Sequence, residues 1–174
     1  MELASAMTHD DREAFEALLQ RHRGIVFKIA HSYAANRADR DDLAQDIAVQ
    51  LWRAWPGYSP ERPATTWMYR IALNVAISHL RGRTLRDRHH VPLDDDEDAA
   101  LAVATGGHDQ DPDTDARLRT LRRVISALPP LDRALMLLYL EERSQREIAD
   151  VLGISESNVS TKVSRLKQRI REQF

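Results

Sequence analysis

Thr66, Arg70, Asn74, Ile77 and Arg81 fall at i, i+4, i+8, i+11 and i+15, so in a helix they share one stripe. The stripe offers two guanidinium groups, an amide and a hydroxyl, with Trp67 and Tyr69 beside it. Guanidinium groups suit phosphates, an amide suits a base edge, and aromatic planes suit an unstacked base. Met68, Ala72, Val75, Ala76 and Leu80 recur at three- and four-residue steps on another face. Residues 64–83 therefore read as one amphipathic helix with a polar stripe that a core does not need. An ordinary solvated surface helix with one buried tryptophan is the competing reading.

A second set of chemically distinct residues lies upstream. Over residues 40–55, Leu43, Ile47, Leu51 and Ala54 make an apolar stripe, widened by Ala44, Ala48 and Trp52. Asp41, Asp42, Gln45, Asp46 and Val49 lie on the opposite side. Acids in a first turn complement the helix dipole, which offers a purely structural account of Asp41 and Asp42. Asp46 lies beyond that turn, and an acidic face of this kind can dock a basic partner surface.

The third set is C-terminal. Ser144-Gln145-Arg146-Glu147 is a capping box, Gly153 ends the helix it starts, and Ser155 caps another. The second helix keeps Val159, Val163, Leu166 and Ile170 inside. Its outer face carries Glu156, Asn158, Ser160, Thr161, Lys162, Ser164, Arg165 and Lys167. A short helix, a glycine turn and a longer helix form a helix-turn-helix, with Ile148, Ala149, Leu152, Ile154 and Val159 available to pack the pair. Such a second helix enters a major groove by its N-terminal part, while later basic residues meet phosphates. A helical hairpin for protein contact is the alternative.

No comparable case exists for catalysis or metal. The chain has no cysteine, which excludes disulfides and thiolate sites and fits a reducing compartment. His89, His90, His108 and the acids of 94–98 are metal-ligand types without fixed spacing. There is no glycine-rich phosphate loop, GxSxG elbow or HExxH. Neither enzyme activity, a cofactor nor a small-molecule substrate is expected.

The elements that must position these residues are all helices. Scarce glycine and 30% charged residues favour helix over sheet, and 174 residues suffice for one domain or two small ones. Asp10 and Asp11 can cap a helix running to about residue 35, with Phe15, Leu18, Leu19, Ile25, Val26, Ile29 and Tyr33 inward and a slight bend at Gly24. Residues 36–39 read as a turn. Three prolines and a glycine make residues 56–63 a loop, leading directly into the striped helix. Residues 116–128 and 131–141 give two more helices, separated by Pro129-Pro130.

Between the two helical parts, residues 84–114 show no periodicity and read as a disordered linker, with at most a weak helical turn at 98–103. Charge follows the same partition. Residues 1–93 carry 13 Lys and Arg against 11 Asp and Glu, residues 94–115 carry nine acids and no base, and residues 116–174 carry 12 bases against seven acids. The overall −2 thus hides two basic ends, the footprint expected of a nucleic-acid binder. The first residues lack a basic flank followed by an apolar run, so no signal peptide is read, and no run is long enough to span a membrane. A cytoplasmic protein is expected.

Three blocks in this order resemble a known family. DDLAQDIAVQLWRAW is similar to region 2.2, TTWMYRIALNVAISHLRGR to regions 2.3 and 2.4, and SQREIADVLGISESNVSTKVSRLKQRI to region 4.2 of bacterial RNA polymerase sigma factors of the extracytoplasmic-function type. The resemblance implies an all-α chain of two small helical domains: region 2 over 1–86 and region 4 over 116–174, joined by a flexible acidic linker over 87–115. It implies that Asp41, Asp42, Gln45, Asp46 and Val49 face the β′ clamp helices of core polymerase. The loop 57–63, with Tyr58, Ser59, Thr66, Arg70, Asn74 and Arg81, would take the −10 element and capture a flipped base. Trp67 and Tyr69 would support that loop from the core side. Arg146, Ser155, Glu156, Ser157, Asn158, Ser160, Thr161, Lys162, Ser164, Arg165 and Lys167 would meet the −35 element, while region 4 rests on the β flap. The linker would lie in the RNA exit path, and an anti-sigma factor would hold the protein inactive.

Two departures matter. Ser157, Asn158 and Ser160 stand where relatives often carry Gly-Thr and a basic residue, and Ser164 where a bulkier or basic one is common. This puts more weight on hydroxyl and helix-terminus contacts with phosphates. Two alternative functions compete: a sigma-like decoy that sequesters an anti-sigma factor, and a helix-turn-helix regulator that works without core. Retention of Arg70 and Asn74 without a receiver domain speaks against the first, and the acidic face at 41–46 against the second. The two promoter boxes lie about 25 base pairs apart, roughly 80 Å. A flexible 30-residue coil averages about 30 Å, so the free chain is expected to bind promoter DNA poorly.

Overall fold

The computed structural model describes residues 7–86 and 112–174. The described residues form α1 (His9–Arg21), α2 (Arg23–Tyr33), α3 (Arg37–Ala54), a 3-10 turn (Trp55–Gly57), α4 (Ala64–Arg86), α5 (Pro112–Ser126), α6 (Pro130–Leu140), α7 (Gln145–Leu152) and α8 (Glu156–Arg171), with no strand among them. The all-helical expectation holds. The suggested turn at 98–103, His89, His90, His108 and the acids of 94–98 lie outside the described residues.

Local chemistry accounts for most boundaries. Thr8 and Asp11 form a reciprocal capping box on α1, where the expected cap was Asp10 or Asp11. The single helix expected to residue 35 is two. His22 leaves helical geometry at φ −116°, ψ 21° and its N–H closes α1 on the Leu18 carbonyl. The break frees each half to choose its own packing: α1 buries only Phe15, while α2 buries Ile25, Val26, Ile29, Ala30 and Tyr33. Asn36 is not in a turn but caps α3, its Oδ1 accepting from the Asp39 N–H at 2.9 Å. The first-turn acid is therefore Asp39, and the dipole no longer accounts for Asp41 or Asp42. Helix α5 starts four residues before the expected 116, inside the acidic stretch. Pro112 at its first position and Asp113 and Asp115 in its first turn are start signals that the lack of apolar residues obscured.

The N-terminal helices pack as a bundle with α4 at its centre, against α2 and α3. Leu43, Ile47 and Leu51 of α3 are fully buried, as are Ala72 and Ala76 of α4, with Met68 nearly so. Tyr69 and Leu73 are buried too, so the apolar surface of α4 is wider than one stripe, while Val75 and Leu80 of the expected face are only partly covered. A second side of α4 packs on α6 and α7. Ile77, out of place in a polar stripe, is partly buried against this core. The two halves thus share one continuous core, which runs from Phe15 to Ile170. In α6, Ala134, Leu135, Met136 and Leu138 are buried, while Leu131 and Tyr139 are 36% exposed.

Polar groups join the halves where the core ends. Lys28 of α2 contacts both carboxylate oxygens of Glu141 at 2.8 Å. The Tyr33 hydroxyl donates to the Pro130 carbonyl at 2.8 Å, and Arg133 Nη1 donates to the Ser32 carbonyl at 2.9 Å. Arg133 also lies 5.1 Å from the centre of the Tyr33 ring, and Arg143 lies 5.2 Å from that of Tyr69.

Candidate nucleic-acid and partner interfaces

Three exposed faces correspond to the three sets of residues. On α3, Asp41, Asp42, Gln45, Asp46 and Val49 are all exposed, opposite the fully buried Leu43, Ile47 and Leu51. Val49 is 45% exposed, an apolar residue in an acidic field. A face that is acidic, lightly apolar and rigidly backed suits docking on a basic surface.

The second face is built by an aromatic stack. Trp55 and Tyr58 lie parallel with centroids 5.0 Å apart, and Tyr58 meets Trp67 at 4.9 Å. Trp55 also packs edge-on against Phe15 and Trp67, and Trp52 against Phe15. Tyr58 N–H donates to the Trp55 carbonyl and Arg62 N–H to that of Ser59, so the loop is pinned at both ends before Trp67 N–H reaches back to Pro63. Trp67 therefore supports the loop as expected. Tyr69 does not: it is buried on the other side of α4 under Arg143. Along α4, leading away from the loop, Arg70, Asn74 and Arg81 are exposed, and Ser59 and Thr66 are partly so. Tyr58 is half-buried with one ring face covered by Trp55, which leaves its edge rather than its plane for a ligand.

The third face is the helix-turn-helix. Ser144 Oγ accepts from the Glu147 N–H at 3.1 Å, and Glu147 Oε2 accepts from the Ser144 N–H at 3.2 Å. Gly153 adopts φ 68°, ψ 35°, the left-handed conformation that ends α7. Ser155 Oγ accepts from the Asn158 N–H at 3.1 Å and so serves as the cap of α8. With Val159, Val163, Leu166 and Ile170 buried, α8 turns Glu156, Ser157, Asn158, Thr161, Ser164 and Arg165 outward, and Arg146 of α7 is exposed beside them. Ser160, Lys162 and Lys167 are partly buried. Lys167 Nζ lies 5.4 Å from the centre of the Tyr139 ring, and Thr161 Oγ1 spends its proton on the Ser157 carbonyl at 3.1 Å.

The sequence reading missed the groups between the halves. Arg133 is buried, 8% exposed, and donates to the Ser32, Ser126 and Leu128 carbonyls. Desolvation draws its pKa down, and the Tyr33 ring beside it opposes that. An arginine in the apolar run PLDRALMLLYL was the available signal. Among the described residues, His9, Asp10 and Glu13 cluster closely enough to hold a cation, but all three are exposed on one helix end. No helix among them is long and apolar enough to cross a membrane.

Comparison with known proteins agrees with this layout. Residues 18–86 match Sigma-70 region 2 and residues 118–170 match Sigma-70, region 4. The chain is 30% identical over 173 residues to the RNA polymerase sigma factor CnrH of Cupriavidus metallidurans, covering 97% of this chain and 90% of that protein. It is 24% identical over 169 residues to the ECF RNA polymerase sigma factor SigW of Bacillus subtilis, covering 94% and 90%. In fold it is similar to the sigma factor RpoE solved with the anti-sigma factor NepR from Bartonella quintana, with a TM-score of 0.66 at 19% identity over 95% of this chain and 97% of that one. Region matches at both ends and a relative aligned along nearly the whole length lead to one conclusion: the chain belongs to the sigma-70 family, as a sigma factor of the extracytoplasmic-function group.

Proposed function

We propose that the chain uses its three exposed faces for three successive contacts in transcription initiation. As a sigma factor it is an initiation factor and not an enzyme; it binds core RNA polymerase, recognises −35 and −10 elements and nucleates promoter opening. Asp41, Asp42, Gln45, Asp46 and Val49 are assigned to the β′ clamp helices. Ser59, Thr66, Arg70, Asn74 and Arg81 are assigned to the −10 element, with Tyr58 as part loop support and part contact. Arg146, Ser157, Asn158, Ser160, Thr161, Lys162, Ser164 and Arg165 are assigned to the −35 element, with Glu156 beside them and Ser155 as the cap that aims the helix. Lys167 reaches phosphate by leaving Tyr139. Region 2 is assigned to 1–86 and region 4, expected from 116, to the residues from Pro112 at the start of α5 onward, with the segment between them in the RNA exit path.

The observation that carries this reading is α4. A helix buried on two sides still exposes Arg70, Asn74 and Arg81 on one stripe that leads away from a loop held by stacked aromatics. Guanidiniums for backbone phosphate and an amide for a base edge are what capture of an unstacked base requires. Partners are assigned by class: core polymerase including the β flap, promoter DNA, and an anti-sigma factor that holds the chain inactive. The similarity to RpoE, solved with NepR, motivates that last assignment. The site of action is the cytoplasm.

The test is run-off transcription with purified core and promoters selected by sequencing. A productive chain gives a promoter-dependent transcript; a decoy or a core-independent regulator gives none. Asp46→Arg is expected to lower core affinity at least tenfold in a pull-down while leaving the helical circular-dichroism signal unchanged, because the side chain is exposed. Unchanged affinity would remove α3 from the clamp assignment.

A further inference from the structure

We infer that Thr161 is a specificity-determining residue of the −35 contact, and that it reads a thymine through its methyl group and not through its hydroxyl. This assignment rests on the functional reading above for the identity of the DNA element. What the side chain can offer a base follows from its own hydrogen bond and its exposure.

Position comes first. Thr161 is the sixth residue of α8, in the half of the helix that leads into a major groove in a helix-turn-helix. Val159, Val163, Leu166 and Ile170 are buried. At 3.6 residues per turn, the direction opposite to them falls within about 10° of Thr161. Gln168 shares that direction but stands about two turns later, near the end of α8. Ser157 and Asn158 precede Thr161 by four and three residues and Ser164 follows it by three, all of them exposed. These neighbours are short, so the helix can seat close to the base edges. Arg165, four residues on, is offset toward one flank and has the length to reach a phosphate.

Chemistry then narrows what Thr161 can read. Its Oγ1 donates to the Ser157 carbonyl at 3.1 Å. A threonine hydroxyl carries one proton, and here that proton is used inside the helix. Among the described residues, neither the Ser157 nor the Ser164 hydroxyl is tied in this way. Thr161 therefore presents a methyl group and an oxygen that can only accept. Such an oxygen gains nothing from guanine, whose major-groove edge offers the acceptors O6 and N7. Freeing the hydroxyl to donate would exchange one hydrogen bond for another, with little net gain.

The methyl group is the part of Thr161 that singles out one base. Thymine alone carries a C5 methyl in the major groove, and a threonine methyl is among the groups that pack on it. The competing match is an amino group, cytosine N4 or adenine N6, donating to Oγ1. The two matches use different atoms of the same side chain, so they are separable by substitution. Burying one methyl group corresponds to about a fourfold change in affinity. Thr161 thus sets a graded preference at one base pair and leaves the overall hold on DNA to the phosphate contacts.

The test uses the full chain assembled with core polymerase and a duplex library randomised across the −35 window, with bound fragments sequenced. The parent should enrich thymine at one position of the window. Thr161→Ser keeps the hydroxyl and loses the methyl, and with Thr161→Ala it should level the four bases at that position. Thr161→Val keeps the methyl and loses the oxygen, and it should still prefer thymine there. In the enriched sequence, uracil in place of that thymine should weaken the parent complex about fourfold and leave the Thr161→Ser complex within about twofold. At the same position, 5-methylcytosine should bind the parent more tightly than cytosine does. These base analogues leave the protein unchanged, so a folding defect in a variant cannot produce their effect. Loss of the thymine preference in Thr161→Val, or equal binding of thymine and uracil by the parent, overturns the inference. Enrichment with no thymine that responds to Thr161→Ser overturns it alone. A library in which nothing is enriched overturns it together with the functional reading.

Discussion

At the scale of single residues, the −10 face depends on a division of labour between supports and contacts. Trp55, Tyr58 and Trp67 fix the loop through ring packing, at centroid separations of 4.9 to 6.2 Å. Aromatic pairs of this kind contribute about 0.5–1.5 kcal/mol each beyond the area they bury. Asn74 contributes nothing to that packing, since its side chain is exposed. Asn74→Ala is therefore expected to leave thermal stability and core affinity within error. The same variant should reduce permanganate reactivity of the −10 thymines about tenfold in the complex with core. Normal strand opening by Asn74→Ala would take this residue out of the site.

At the scale of elements, two glycines that look alike in the sequence do opposite work. Gly153 sits at φ 68° between α7 and α8, and a Cβ added there meets nothing within 4 Å. The penalty of Gly153→Ala is thus conformational alone, about 1–2 kcal/mol for an L-residue in the left-handed region. Gly24 lies inside α2 at negative φ and also has open space around a Cβ. Gly24→Ala should stabilise the chain by about 0.5–1 kcal/mol, because it removes backbone freedom from the unfolded state. Urea unfolding of the two variants, read as midpoints in opposite directions, checks both. The α6–α7 connection bears a related strain, with Glu142 at φ 58°.

At the scale of the whole molecule, the joint between halves also carries a pH dependence. Burial pushes the Tyr33 phenol up, with Arg133 pulling partly back. Burial is again the main cause for Tyr69; Glu141 adds to it, while Arg143 and Lys28 oppose it. The folded chain therefore holds both protons more tightly than the unfolded chain. That stability is complete below about pH 10, the ordinary tyrosine value. It is lost as pH rises from there toward the folded values, because the unfolded phenols ionise first. The urea midpoint should fall as pH rises above about pH 10, and Tyr33→Phe with Tyr69→Phe should flatten the fall.

Local rules determined much of this protein from its sequence. Periodicity put Leu43, Ile47 and Leu51 inside and the acids of α3 outside, and the capping box at Ser144 and Glu147 marked α7 to the residue. These features are legible because each depends on neighbours three or four positions away, where the helix itself sets the geometry. The stripe of Arg70, Asn74 and Arg81 was readable for the same reason. The tertiary structure decided which of the flanking residues serve it. Trp67 and Tyr69 are two apart, and on α4 they face different partners, one the loop and the other Arg143. The break at His22 and the early start of α5 were likewise settled by packing and by a proline-acid cap in a stretch with little apolar signal. Above all, no spacing in the chain announces that Arg133 meets Ser32 and Tyr33. They lie about a hundred positions apart, and a contact at that separation is set by how whole helices stack, which no local pattern encodes.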